Sequence, residues 1–259
     1  MTIRKLLPVL TPGLTLSCLV LTLTGCATPG PNHLYVAGPE RPEIISDHAA
    51  AGIVTMDVPS FLQPRESLLG VAYDSFTDHL FLRLAPGNAF RVVDRPDRSI
   101  KREFTAPEVP ATGGGDIAIR SRDRHLFLGH PTNPVIIEIT LHGKFVRAIP
   151  LADTTMPVAG LAYDQVRNVF HVLPGDDPNA LITYDLNGRR LGRIVLARDV
   201  FPGTLAFDSD AREFYVQLRP DCRLGVFDGQ GRLQRILDQP RPTAPASFDV
   251  GPRSFLRLF

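Results

Sequence analysis

One phrase recurs along this chain, and its period constrains the fold more than any other feature. GVAYDSFTDHLFLRL begins at Gly70, GDIAIRSRDRHLFLG at Gly115, GLAYDQVRNVFHVL at Gly160 and GTLAFDSDAREFYVQL at Gly203, and ASFDVGPRSFLRLF runs from Ala246 to the last residue. Aligned on Tyr73, Ile119, Tyr163, Phe207 and Phe248, the copies recur at 46, 44, 44 and 41 residues. A period of this size marks a repeat architecture, in which each unit cannot bury its apolar faces alone and stacks on its neighbours.

Each copy holds two short β-type runs, such as 71–73 and 80–82, around a polar turn containing Asp74 and Asp78. Aromatic and β-branched residues bounded by Asp, Ser and Asn read as a hairpin. Two more runs follow each hairpin: 90–93 and 100–104, 135–139 and 145–149, 181–184 and 191–196, 224–227 and 233–237. Their connectors are turns, most clearly LNGR at 186–189 and GQGR at 229–232. Four short antiparallel strands in a unit of about 40–45 residues make the blade of an all-β propeller. Ala72, Ala118, Ala162 and Ala206 are expected to permit close approach near the crowded axis.

Closure is legible too. NHLYV at 32–36 matches the second strand of the hairpin and is followed by apolar runs at 43–45 and 53–58, so the N-terminus supplies a blade lacking its first strand. The C-terminus supplies that strand at 247–250, and pairing the two ends closes a ring. Complete first, third and fourth strands each count to five, which favours five blades. The run at 254–258 competes with 33–37 for one second-strand position, which leaves six blades, two of them incomplete, as the other count.

The order "strand ending in Asp, Gly turn, Arg, apolar strand" in GVFDGQGRL (225–233) resembles NHL/YVTN-type and related six-bladed propeller repeats over residues 33–259. The resemblance implies a fold and leaves function open, because propellers host binding scaffolds, lyases, lactonases and sugar-binding proteins alike.

The N-terminus carries an address. Arg4 and Lys5 precede a mostly apolar run at 14–23, and Leu23-Thr24-Gly25-Cys26 follows, the order of a secretory signal. Pro8, Pro12 and Gly13 interrupt the segment, and its clean apolar run falls short of the ~20 residues a membrane span needs. The tetrapeptide resembles the lipobox of bacterial lipoproteins. That resemblance implies cleavage before Cys26, acylation of its sulfur and amine, and, with Ala27 next, export to the outer membrane facing the periplasm. Several acyl chains make such attachment effectively stable. The division is then a signal peptide at 1–25, a lipidated tether at 26–32 and a propeller at 33–259. Cys18 leaves with the signal and Cys26 carries lipid, so Cys222 alone remains and no intrachain disulfide can form.

Without residues 1–25 the chain has 26 basic and 27 acidic side chains, a balance that argues against nucleic acid as a partner. The loops joining fourth to first strands and second to third strands emerge on one face, where the default site lies. His130, Asn133, Asp176, Asp177 and Arg219 fall there as candidate ligand-binding residues, and Arg219, His130 and Phe201 are the candidate anchors of a contact surface. Two function classes follow: a non-catalytic, lipid-anchored scaffold that binds a protein or small ligand on the rim without a cofactor, or a metal-dependent hydrolase. A propeller resembling the gluconolactonase group would hold Ca²⁺ or another divalent cation on converging oxygens, for which Asp116, Asp153, Asp176 and Asp177 are the candidates. No glutamate opens a first strand where that pattern would place one. His171 lies inside a strand where other copies carry Phe81, Phe127 and Tyr215, and reads as a packed histidine.

Overall fold

The computed structural model describes residues 32–38, 44–49, 52–57, 62–86, 88–110, 115–238 and 244–252. The signal segment, Cys26, the glycine run at 113–114 and the competing run at 254–258 lie outside them.

Among the described residues every regular element is a strand, and the strands form five four-stranded antiparallel sheets. Blade I combines β1 (Asn32–Ala37), β2 (Ile44–Ala49) and β3 (Gly52–Asp57) with β20 (Ser247–Pro252), the last of the described strands. Blade II is β4 (Ser67–Asp74), β5 (His79–Ala85), β6 (Ala89–Asp94) and β7 (Ser99–Thr105). Blade III is β8 (Ile117–Arg120), β9 (His125–Gly129), β10 (Val135–Thr140) and β11 (Phe145–Pro150). Blade IV is β12 (Val158–Asp164), β13 (Val169–Pro174), β14 (Ala180–Tyr184) and β15 (Arg190–Val195). Blade V is β16 (Val200–Asp208), β17 (Glu213–Leu218), β18 (Leu224–Asp228) and β19 (Leu233–Ile236), after which the chain returns to blade I as β20. The protein is a five-bladed β-propeller.

Burial follows the period. The strands β20, β4, β8, β12 and β16 lie innermost and neighbour one another around the axis. Outer strands alternate or face solvent, as β7 and β15 do. Five apolar clusters each bridge two adjacent blades. Phe81, Phe90 and Val92 of blade II pack on Ile117, Leu126 and Ile137 of blade III, and Leu34 and Phe248 of blade I meet Tyr215 and Val226 of blade V. Each blade thereby buries both faces, which a lone four-stranded sheet cannot do.

The recurring aspartate is a turn device. Asp164 accepts the amides of Val166 and Arg167, and Asp208 those of Asp210 and Ala211. The last turn residue, Asp78, Arg124, Asn168 or Arg212, has φ of 60°, 64°, 55° or 58°, in the left-handed region that lets the second strand begin. In the turns between third and fourth strands the same conformation falls to Gly143, Gly188 and Gly231. A Cβ on Gly231 would stand 2.1 Å from the Val195 carbonyl oxygen of the preceding blade. Gly231→Ala is therefore expected to cost at least about 2 kcal/mol through backbone strain and this collision. Urea denaturation checks it, and a loss under about 0.5 kcal/mol would show that the turn has room to move.

The closing strand pairs along its whole length with β1, from Asn32↔Pro252 to Ala37↔Ser247. The register moves the final copy of the repeat by two residues relative to the sequence alignment. Ala72 pairs with Phe81, Ala118 with Phe127, Ala162 with His171 and Ala206 with Tyr215, and the matching pair in blade I is Asp249 with Tyr35. Val250, not Phe248, is the counterpart of Tyr73. A carboxyl group thus occupies the innermost position that four other blades give to alanine.

Candidate functional site: the axial channel and its two mouths

An innermost strand has no neighbour on its axial edge, so some of its amides point into the channel and need acceptors. Two aspartates at successive depths supply them. Asp116, two residues before the alanine position, is buried, and its Oδ2 accepts the amides of Leu161 on β12 and Leu205 on β16, each at 2.9 Å. Asp249 Oδ2 accepts the Tyr73 amide of β4 at 2.7 Å, and its Oδ1 accepts the Val250 amide at 2.8 Å. One chain end and one interior blade are tied across the axis by these bonds. Burial holds Asp116 well above the usual carboxylate range, against the pull of its bound amides, and raises Asp249 to about 7.

Above Asp116 the channel opens into a cavity of ≈ 340 Å³ on the face carrying the 4→1 and 2→3 loops. Leu68, Leu69, Pro131, Pro157, Pro202 and Pro245 help to line it, and Asp116 forms its floor with an Oδ1 that has no partner among the described residues. Below Asp249 a second cavity of ≈ 330 Å³ opens on the face of the hairpin turns. The sequence places the default site on the upper face only, and the lower mouth and Asp249 are missed because a two-residue slip puts Asp249 at the place of the turn aspartate Asp74.

The upper face does bring the predicted loops to one end of the ring, where they bond to one another. Val200 N–H donates to Pro178 O and Arg219 N–H to Asp199 O. The predicted side chains nevertheless stay apart. His130 Nδ1 accepts the amides of Thr132 and Asn133 within its own loop, and burial followed by the nearby Arg83 charge lowers its pKa. Exposed Arg219 stacks on Phe201, with 5.2 Å from its guanidinium carbon to the ring centroid. Cys222 is buried behind the same loop, and burial raises its thiol.

Of the four candidate cation ligands, Asp153, Asp176 and Asp177 line one surface pocket of blade IV, while Asp116 lies in the channel. Arg190 and Arg193 share that pocket, and Arg193 donates to Asp177 at 2.6 Å. Among the described residues no three His, Cys, Asp or Glu side chains are grouped to hold a metal ion. The residues present therefore do not fit the divalent cation of the hydrolase reading, since arginine already supplies the countercharge. Millimolar Ca²⁺ is expected to leave the melting temperature unchanged; a saturable rise would restore that reading.

Two buried polar side chains pin the upper crossovers. Arg83, fully buried on β5, donates to the carbonyls of Gly115 and Gly129 at 3.0 and 3.3 Å. Gln217, in the matching place on β17, donates to Cys222 O and accepts the Ala246 amide. Burial lowers Arg83 to about 10, with nearby Asp116 partly offsetting the effect.

His171 is a core residue. It is 1% exposed, packs against Phe207 and Phe214, and its Nδ1 lies 3.1 Å from Thr183 Oγ1. Burial lowers its pKa to about 4. Because the folded value lies below the unfolded one, the unfolded chain binds more protons between pH 6.5 and 4, and stability falls as pH drops through that window. His171→Phe, which restores the aromatic of the other blades, is expected to remove up to about 3 kcal/mol of this acid loss. Denaturation curves at pH 7 and pH 4.5 test it, and an unchanged pH slope would refute it.

No protein-family model matches the chain, and no curated protein matches it. Among solved structures, one chain of a nidogen/laminin complex is similar with a TM-score of 0.60 at 12% identity, covering 86% of this chain and 100% of that one. A Bacteroides caccae protein of unknown function gives 0.49 at 15% identity, covering 81% of this chain and 74% of that one. Kuenenia stuttgartiensis hydrazine synthase gives 0.47 at 13% identity, covering 69% of this chain and 52% of that one. At these identities the first likeness concerns the propeller fold alone, and the other two are too distant to carry an argument.

Proposed function

We propose that the protein is a lipid-anchored envelope propeller that binds a partner on its upper rim and catalyses no reaction there. One observation carries this reading: His130 is bonded within its own loop, Asp177 is paired with Arg193 and Arg219 is stacked on Phe201, so the described upper face offers a varied surface and no converging reactive set. Arg219 stacked on Phe201 is its best anchor, since arginine and aromatic side chains dominate contact energies. The similarity to a chain of a nidogen/laminin complex supports a protein as the partner class.

An anchor on Cys26 would also orient the ring. Cys26 precedes Asn32 by six residues, a reach of at most about 22 Å, and Asn32 lines the lower mouth. The lower face then looks at the membrane and the upper rim looks away from it, into the periplasm if the outer membrane is the host. Phe76 and Val166, 56% and 67% exposed on lower-face turns, suit that placement. The test is co-purification of tagged full-length protein from its native membrane in mild detergent, with Cys26→Ala and Arg219→Ala variants. A stoichiometric protein lost with either variant is expected. Recovery of the chain alone, or a Cys26→Ala chain still held by the membrane, would overturn the reading.

A further inference from the structure

The lower mouth has a chemical character that the scaffold reading does not use. Its acids are Asp249 at the channel floor, Asp208 at the end of β16 and Asp210 in the following turn, and among the described residues no Lys, Arg or His side chain lines it. Asn32 adds a buried Oδ1 with no hydrogen-bond partner among the described residues, and Ser75, Ser121 and Ser209 add hydroxyls around the opening. Acceptors thus outnumber donors in a partly enclosed space, which favours a ligand that brings hydrogens and positive charge.

The placement of Asp249 sharpens the inference. It replaces an alanine of the repeat on an innermost strand, and its surface remains partly open to the cavity. Each carboxyl oxygen accepts one amide, from Tyr73 and Val250, and retains a lone pair. The amides fix the carboxyl so that little ordering remains for a ligand to impose. We propose that the lower mouth binds a primary ammonium group, carried by a soluble amine or by the ethanolamine headgroup of a lipid, with Asp249 as the counter-ion. Only the lipid source rests on the membrane-facing orientation proposed above; the ammonium site does not.

Binding is coupled to a proton. Around Asp249 stand Tyr35 opposite on β1, Tyr73 on β4, Asp116 just before β8, Tyr163 on β12, and Asp208 and Asp210 from β16 and its turn. The tyrosines remain neutral through the physiological range, since burial raises all three. With its own value raised to about 7, Asp249 is partly protonated at neutral pH, and an arriving ammonium favours the ionised form and expels that proton. Affinity therefore strengthens with pH through this range.

The test uses the full chain in detergent, the Cys26→Ala full chain, and ethanolamine as the first probe. Calorimetric titration at pH 8 and pH 5.5 is expected to show saturable millimolar binding, at least tenfold weaker at the lower pH. Proton release near pH 7 is read from two buffers of different ionisation enthalpy. Asp249→Asn, whose amide oxygen still accepts the Tyr73 N–H, should keep the melting transition and lose at least tenfold in affinity. No saturable heat with ethanolamine, equal binding of glycerol, or binding indifferent to Asp249→Asn would each overturn the site. Flotation with phosphatidylethanolamine against phosphatidylcholine vesicles, using Cys26→Ala protein, separates the sources. Preference for ethanolamine headgroups supports a lipid, and soluble binding without vesicle preference assigns a free amine. Failure of the lipid anchor would leave the ethanolamine titration untouched, so the two ideas fall separately.

Discussion

A chain ending at Ala244 is expected to lose its cooperative unfolding transition altogether. The truncation removes β20, and with it six paired positions along the inner edge of β1. It also strips Phe248 and Val250, 1% and 9% exposed, from the cluster that joins blades V and I. Burying two such side chains contributes about 3–6 kcal/mol. Lost strand pairing and the lost Asp249 to Tyr73 bond add about 0.5–1.5 kcal/mol per hydrogen bond. Together these rival the ~5–15 kcal/mol total stability of an ordinary domain. Circular dichroism melting is the direct measurement. A truncated chain with a sharp transition within a few degrees of the parent would show that blades II to V stand without closure. Phe248→Ala, with a cost of about 3–5 kcal/mol, gives a graded check in which the ring still closes.

Asp116→Ala is expected to destabilise the fold by about 2–6 kcal/mol, the cost of leaving two buried amides, Leu161 and Leu205, without acceptors. Those amides belong to blades IV and V, whereas Asp116 precedes the first strand of blade III, so one side chain staples three blades at the axis. Asp116→Asn separates geometry from charge. It keeps an acceptor oxygen of the same reach, and because burial already favours the neutral carboxyl, its cost should be under about 1 kcal/mol at neutral pH. An asparagine variant as unstable as the alanine one would mean that the ionised carboxylate is required, contrary to its upward shift.

The two channel acids and His171 act in opposite senses. A raised carboxyl is stabilised on the acid side and loses that contribution as pH rises toward its folded value, here about 7 for Asp249. A lowered histidine does the reverse between pH 6.5 and 4. The single variants His171→Phe and Asp249→Asn are therefore needed to resolve two slopes that partly cancel in the parent.

Much of the ring was legible before any coordinates. The turn aspartates, the Asn-Gly and Gly-Gln-Gly connectors and the alternation of apolar runs are local signals, written in the residues that adopt each turn and strand. The count of five and the pairing of N- and C-terminal strands followed from tallying strands, because closure demands that every first strand find a second. His171 was legible as a core residue from the aromatics at the same place in other copies.

What failed was register. The final copy has few residues to anchor it, and Phe248-Asp249 resembles Tyr73-Asp74 more than Val250-Gly251 does, so the alignment slips by two and gives Asp249 the place of the turn aspartate instead of that of the alanine. A slip of two residues keeps each side chain on its own face and moves it one step along the strand, so the alternation of apolar residues gives no sign of it. The predicted acids Asp153, Asp176 and Asp177 were rightly grouped by face, yet Arg193 arrives on β15 from outside their loops, a partner that spacing alone does not reveal. The sequence by itself determined the blade, its turns and the need for a ring, since these rest on local backbone preference and periodic burial. Only the tertiary structure decided which carboxyls meet at the axis, because Asp116 and Asp249 lie more than a hundred residues apart and are brought to successive depths by the closing of the ring itself.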